Sequence, residues 1–282
     1  MKERLKNIPL LRQLYDRFTE NSYRQKFETD GYGGFWGVFE TFEEAIKAAP
    51  ATKKIGYDCA ELAQSYQTML DRGDWEGSKS VVRSFDYPIL YWMEKILQTN
   101  TFDSPGEKRL RQRLNIFDFG GNLGIHFLAY SKYLDLPNNL SWVVCDLPEI
   151  VKVGKLNNRD SRLNFTTDLE LASGSDIFLA SGSIQYDRDI AGRIEALERK
   201  PQHILINRIG LYAGKQIVTL QNGGKVFYAQ YIFNRHKFIN SFESIGYKLV
   251  DIWEDNVDSC YIPFHPEVNV PCYHGLYFKL TN

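Results

Sequence analysis

The residues best suited to chemistry stand in one run, Asp118-Phe119-Gly120-Gly121-Asn122-Leu123-Gly124, with a later acid, Asp146. Gly120 and Gly121 permit backbone angles and a close approach that a Cβ would forbid. Gly124 lets the following helix, with Ile125, Leu128 and Ala129 on one face, pack tightly on a sheet. In open α/β sheets, ligands bind beyond the carboxyl ends of the strands, near such a strand-to-helix turn. Asp146 ends the apolar run Trp142-Val143-Val144-Cys145. At the tip of a second strand it can accept hydrogen bonds from both hydroxyls of a ribose. Asp168, after a third apolar run, is placed either to reach an adenine amino group or to cap a helix.

Spacing separates two ligand classes. A dinucleotide fingerprint needs glycines at G-x-G-x-x-G, and ending that frame on Gly124 puts Phe119 where the first glycine must stand. An acid followed by small residues at every second position is the frame of S-adenosylmethionine-dependent methyltransferases. Asp118, Gly120, Asn122 and Gly124 meet it, with Asn replacing the middle glycine. Asn tolerates left-handed backbone angles better than most residues. In this frame the donor's carboxylate meets free N–H groups at the helix N-terminus, and Asp118 holds its ammonium, directly or through water. Gly120, Gly121, Asn122 and Gly124 then line the donor, Asp146 and Leu147 flank its ribose, Asp168 its adenine, and Ser181 and Gly182 close the site. A tight turn without a ligand is the bland alternative.

These residues need elements to position them. Residues 1–110 read as a mainly helical N-terminal cap. Leu5, Ile8, Leu11, Tyr15 and Phe18 recur at helical spacing. The opposite basic face could rest on an anionic membrane, although packing on the rest of the protein is the expected fate. Thr41-Phe42-Glu43-Glu44 fits a capping box, and Tyr57–Leu70 and Asp86–Leu97 read as further helices. Gly31, Gly33, Gly34 and Gly37 around Trp36 form an aromatic-glycine loop of no evident purpose. Residues 111–282 alternate short apolar runs with helical stretches: Leu114–Asp118, Trp142–Asp146, Leu163–Thr166, Asp176–Ala180 and Ile204–Asn207. Runs apolar on both faces suit a parallel sheet covered by helices. Tyr247–Trp253 and Gly275–Leu280 read as a closing pair without a helix between them. The expected fold is α/β, a Rossmann-like, mostly parallel sheet with an antiparallel closing strand and a helical N-terminal cap.

Composition narrows the partners. Hydrophobic residues make up 43% and charged residues 24%, a globular balance. The formal net charge of −1 gives no general field for nucleic acid. The four cysteines, Cys59, Cys145, Cys260 and Cys272, lie far apart without a CxxC pair, so neither a metal site nor a disulfide framework is expected. No signal peptide or transmembrane run is read, and a soluble cytoplasmic protein is expected. A homodimer is compatible with this reading.

The chain resembles a family of class I methyltransferases encoded in O-antigen and other surface-polysaccharide clusters. The resemblance is carried by Phe117–Gly124, Trp142–Pro148, Leu179-Ala180-Ser181-Gly182-Ser183-Ile184-Gln185-Tyr186, Leu205-Ile206-Asn207-Arg208 and Val218-Thr219-Leu220-Gln221-Asn222, and more weakly by Trp36-Gly37. It implies methylation of a sugar or glycan hydroxyl. Asn207 stands where that family often has an acid.

Methyl transfer is an in-line displacement in which positioning supplies much of the rate, while a hydroxyl acceptor must also lose its proton. The acceptor is expected over the ends of the fourth and fifth strands, on a floor of Ser181, Ser183, Gln185, Tyr186, Asn207 and Arg208. Arg208 would orient an acidic sugar, or else pair with Asp187 or Asp189. Candidate bases are His236, after a Gln221–Asn234 segment that reads as a lid, His126 beside the loop, and Asp187. His203 reads as structural, and His265 and His274 flank the last strand. Two rivals stay open: an NAD-dependent sugar oxidoreductase or epimerase, opposed by the absence of an evident Tyr-x-x-x-Lys pair after the fourth strand, and a non-catalytic partner of polysaccharide-synthesis enzymes. A nucleic-acid methyltransferase is disfavoured by the charge and by the missing Asn/Asp-Pro-Pro-aromatic motif.

Overall fold

A computed structural model of the chain describes residues 9–72, 82–101 and 114–281. In chain order its helices are α1 (Pro9–Thr29), α2 (Phe42–Ala48), α3 (Ala60–Arg72), α4 (Tyr87–Thr101), α5 (Ile125–Tyr130), α6 (Pro148–Asn157), α7 (Ile190–Glu195) and α8 (Arg235–Glu243). The first strands are β1 (Phe35–Phe39), β2 (Lys54–Ile55), β3 (Asn115–Phe119), β4 (Ser141–Cys145), β5 (Leu163–Thr166) and β6 (Ile177–Ser181). They are followed by β7 (His203–Ile209), β8 (Leu211–Tyr212), β9 (Ile217–Asn222), β10 (Val226–Asn234), β11 (Tyr247–Asp255) and β12 (Tyr273–Leu280). Contacts divide the chain into two compact units. One comprises Met1–Gly56, Gln216–Tyr231 and Cys260–Asn269; the other comprises Tyr57–Lys215, Ile232–Ser259 and Val270–Asn282. The chain thus parts at other points than a boundary at residue 110, and α3 and α4 belong with the second unit.

The first unit is built on a small sheet in the order β1-β9-β10-β2, with Trp36 opposite Leu220 in the antiparallel β1–β9 pair. The stretch around Trp36, read as a loop, is therefore a strand, and its glycines Gly33 and Gly37 take left-handed angles. Residues 221–234, expected as a lid, are sheet instead: the end of β9, a glycine turn and β10. Phe27, Phe42, Ala45, Val218, Leu220 and Phe227 form this unit's core. Phe27 stacks on Phe227 at 5.2 Å, whereas Phe18, expected on the packed side of the first helix, is 72% exposed. Leu5 and Ile8 of that reading lie outside the described residues. Only half of the expected capping box forms: Thr41 Oγ1 accepts from the Glu44 N–H at 3.2 Å, whereas Glu44 Oε2 accepts from the Glu40 N–H at 3.0 Å, one residue before the cap.

The second unit carries a seven-stranded sheet in the order β5-β4-β3-β6-β7-β12-β11. The pairs from β5 to β7 are parallel, and β12 runs antiparallel to both β7 and β11. Numbered by occurrence, the order is 3-2-1-4-5-7-6. Order reverses beside β3, the place where open α/β sheets bind ligands. The expected Rossmann-like sheet, mostly parallel with an antiparallel closing strand, is present. Helices α5, α6 and α7 supply crossovers between parallel strands, as that connection requires. Between β5 and β6 a single 3-10 turn, Leu169–Ala172, takes that place. Ile89, Met93, Ile116, Phe127, Tyr130 and Trp142 anchor the main core. Ala63 of α3 packs with Leu123 of the glycine loop and Ile150 of α6, so the loop is backed by helices on the chain before and after it.

Candidate functional site

Register brings the candidate residues to one end of the sheet. Asp118 lies beside Val144 and Leu179, and Ser181 beside Asn207. The carboxyl ends of β3, β6 and β7 therefore stand together, with Asp146 just past β4.

The glycine loop has the geometry its spacing asks for. Gly120, Asn122 and Gly124 all take left-handed angles, with φ of 72°, 53° and 79°, the region favoured by Gly and tolerated by Asn. A Cβ on Gly120 would fall 2.3 Å from Ser183 Cβ, and one on Gly124 2.8 Å from Leu163. Ser183 Oγ fixes the far wall by donating to the Phe119 carbonyl at 2.6 Å. The N–H groups of Gly121 and Leu123 have no acceptor among the described residues, and Asn122 Oδ1 is buried without a partner. The two N–H groups are donors suited to an anionic group, whereas Asn122 Oδ1 is an acceptor.

Asp146 is tied to the loop. Its Oδ2 accepts from the Asn122 N–H at 2.8 Å and its Oδ1 from the Leu147 N–H at 2.7 Å. A carboxylate offers about four lone-pair sites, so acceptor capacity remains on both oxygens. Burial pushes its pKa up to about 6 despite those two N–H bonds. Leu147 is itself 38% exposed.

Asp118 does something other than expected. Its side chain is fully buried, and its oxygens face His126 Nδ1 at 3.0 and 3.1 Å and accept from Trp142 Nε1 at 3.1 Å. A Cβ on Gly121 would fall 2.3 Å from Asp118 Oδ2, so this carboxylate lies beneath the loop. The role of holding a ligand ammonium is corrected accordingly: the charge is spent on His126 and Trp142. His126, in turn, is a buried partner of Asp118 rather than a free base. Burial opposes its charge, but the Asp118 charge and hydrogen bond outweigh that and raise its pKa. Its ring also packs beside Tyr130 at 5.7 Å.

The other candidates divide. Gly182 has φ of 70° and its N–H donates to the Asn207 carbonyl at 2.9 Å. Ser181 is buried beside it. Gln185 is 5% exposed with Oε1 unpartnered. Tyr186 stands in hydrogen-bond contact with Tyr57, hydroxyl to hydroxyl at 3.1 Å, and burial lifts its pKa to about 12. Asn207 is fully buried and held from both sides: its Nδ2 donates to the Phe85 carbonyl at 3.0 Å, and Trp253 Nε1 donates to its Oδ1 at 3.1 Å. It is thus a structural joint and not a substrate contact. Arg208, with a left-handed φ of 58°, pairs with neither Asp187 nor Asp189. Its Nε donates to Asp258 Oδ2 at 2.6 Å, and its guanidinium lies over Phe85 at 4.6 Å. Burial opposes its charge, but Asp258, then Asp255 and Asp86, more than restore it.

Asp187 is ion-paired to Arg193, and its Oδ1 accepts from the Asp189 N–H at 2.9 Å, so its carboxylate is committed. Asp168 caps the following turn by accepting from the Glu170 N–H at 2.9 Å. His236 is exposed on the first turn of α8, with no hydrogen bond or ion pair among the described residues. His203 is held by Tyr277 at 2.8 Å, as a structural residue should be.

Sequence reasoning missed Asp86, Tyr130, Trp253, Asp255 and Asp258. Tyr130 donates to Asp86 Oδ1 at 2.7 Å in a buried pair, which sets a second carboxylate within the field of His126 and Arg208. Asp86 was read only as the start of a helical stretch, and Asp258 follows a strand by three residues. Neither spacing points to β7.

No family model matches the chain, and no curated protein matches it. Solved structures similar to it include an S-adenosylmethionine-dependent methyltransferase from Clostridium acetobutylicum ATCC 824, at 9% identity and TM-score 0.48, covering 77% of this chain and 100% of that one. Another is the Burkholderia thailandensis 1,6-didemethyltoxoflavin-N1-methyltransferase with bound 1,6-didemethyltoxoflavin and S-adenosylhomocysteine, at 12% identity and TM-score 0.45, covering 79% and 88%. A third is an S-adenosylmethionine-dependent methyltransferase from Mesorhizobium loti, at 13% identity and TM-score 0.45, covering 70% and 98%.

Proposed function

We propose that the chain is an S-adenosylmethionine-dependent methyltransferase that methylates a hydroxyl of a sugar or glycan in surface-polysaccharide biosynthesis. One observation carries the reading. The acid at the tip of the second strand, Asp146, is hydrogen-bonded to the backbone of Asn122, the left-handed residue in the middle of the glycine loop. That bond ties the ribose acceptor to the loop that follows β3, and the sheet reverses its order beside β3. The bound donor supplies an activated methyl group on a sulfonium. The chain's part is to hold it: Asp146 accepts from the ribose hydroxyls, and the Gly121 and Leu123 N–H groups face its carboxylate. Gly120, without a Cβ, lets it lie close to Ser183. Asp118 acts through the loop, as the buried anion on which Gly121 rests.

On the acceptor side, Gln185, Tyr186 and Arg208 remain as binding groups, and Arg208 is the one that would meet an acidic sugar. The carbohydrate assignment is supported by Gly182-Ser183-Ile184-Gln185-Tyr186 and Asn207-Arg208, the motifs on which the family resemblance is most particular. Among the described residues no helix is long and apolar enough to cross a membrane. The test is to incubate the full chain with methyl-labelled donor and a panel of nucleotide sugars and oligosaccharides, some bearing uronic acids. Label appearing as an O-methyl ether on a carbohydrate supports the proposal. Label found only on nitrogen or carbon of non-carbohydrate acceptors contradicts the carbohydrate assignment.

A further inference from the structure

Strand pairing at the closing hairpin assembles donors that the sequence holds 20 residues apart: Glu254 lies directly opposite His274 in the β11–β12 register. Cys272 stands two residues before His274, in the bend that leads into β12. One donor atom from each of Glu254, Cys272 and His274 lies within 4.8 Å of the others. Their surroundings differ: His274 is 4% exposed, Cys272 half-buried and Glu254 exposed. His274 pairs with Ile209 at the end of β7, so the cluster stands at the carboxyl end of the sheet.

We propose that Glu254, Cys272 and His274 form a three-ligand site for zinc, with the fourth position left to water or an incoming ligand. Thiolate, imidazole and carboxylate together are the donor set that zinc accepts in tetrahedral geometry, with bonds of about 2.0–2.3 Å. Donors around such an ion stand about 3.5 Å apart, so the present spread must close by about 1 Å. Glu254, exposed and long, can make that movement by changing rotamer. The buried ring offers its own support. His274 Nε2 lies 2.5 Å from Arg235 Nη2, which makes Nε2 an acceptor and leaves Nδ1 a buried N–H with no partner. A neutral imidazole so placed is one ring rotation or tautomer change from offering a lone pair to a cation. Arg235 is the opposing charge. It is half-buried at the start of α8, and metal binding turns it away from the ring.

Cobalt(II) reports the site directly, because a cobalt–thiolate bond gives a charge-transfer absorption that imidazole and carboxylate do not. Titrating the full chain with cobalt should give one equivalent bound with a thiolate band and tetrahedral visible bands, all erased by one equivalent of zinc. Cys272→Ser should abolish the thiolate band and weaken binding at least tenfold, while keeping the far-UV spectrum and melting temperature of the metal-free protein. Glu254→Gln should keep the band and weaken binding several-fold. A titration without a thiolate band, a band that persists in C272S, or unchanged affinity in E254Q would overturn the proposal. None of these readouts depends on methyl transfer.

Discussion

Asp118 is a fully buried anion with two donors of different kinds, His126 and Trp142. Burying a carboxylate costs several kcal/mol unless a charged partner and hydrogen bonds offset it, and removing one partner of such a pair typically costs about 3–5 kcal/mol. His126→Ala should therefore lower unfolding stability by about that amount in urea titrations at pH 6, with Trp142 alone left to Asp118. A loss below about 1 kcal/mol would show that the pair does not hold the loop. The pH dependence has a definite sign. Because the His126 pKa is raised above 6.5, its contribution is fully present below about 6.5 and is lost as pH rises through the raised value. Asp146 behaves differently. Its pKa near 6 means that it is ionised at neutral pH, and ribose hydroxyls donate to the ionised form. Affinity for S-adenosylhomocysteine should fall as pH drops below about 6, and binding near pH 6 should release protons, read as a buffer-dependent heat in calorimetry. Asp146→Ala should cost about tenfold or more in affinity, since hydrogen bonds to a charged group contribute about 1.5–3 kcal/mol each. The left-handed turn at Asn122 and the strand-tip position of Asp146 were legible in the sequence because both follow from local spacing. The inward turn of Asp118 was not, because Trp142, on the neighbouring strand, decides where that carboxylate points.

Elements set these residues to within a side chain's width, and glycine contacts show how tightly. Gly120 has φ of 72°, and a Cβ there meets Ser183 at 2.3 Å. Gly120→Ala must push back the turn after β6 or distort the loop. It should abolish measurable S-adenosylhomocysteine binding while circular dichroism shows the fold retained; wild-type affinity would contradict the close approach. On the closing strand, Gly275 faces Trp253, whose Cε2 would lie 2.0 Å from an added Cβ. Trp253 also donates to Asn207, so Gly275→Ala should destabilise by about 1–3 kcal/mol, seen as a lower melting temperature. The seven strands of the larger sheet were readable to within two residues because the five parallel ones are short apolar runs spaced for crossovers, and the last two read as a pair with no helix between them. β1 and β2 were not. Phe35–Phe39 has a glycine at its centre and finds its partner in β9, and the two residues of β2 pair with β10. Pairing across that separation leaves no local period, and for the same reason residues 221–234 read as a lid.

At the scale of the molecule, the charge balance and the sheet order bear on the same claim. A net charge of −1 leaves recognition to the site rather than to a general field, and the 3-2-1-4-5-7-6 order places that site at the reversal beside β3. On the proposed reading, the glycine loop, whose spacing departs from the dinucleotide fingerprint, takes an adenosyl sulfonium rather than a nicotinamide cofactor, and Asp146, bound to the loop backbone, takes the ribose. The most direct test is calorimetric titration of the full chain at pH 7.5 with S-adenosylhomocysteine, run beside NADH. One-site binding of S-adenosylhomocysteine, lost in Gly120→Ala, with no heat from NADH, is the expected result. Binding of NADH in place of S-adenosylhomocysteine, or of neither ligand, would contradict the account.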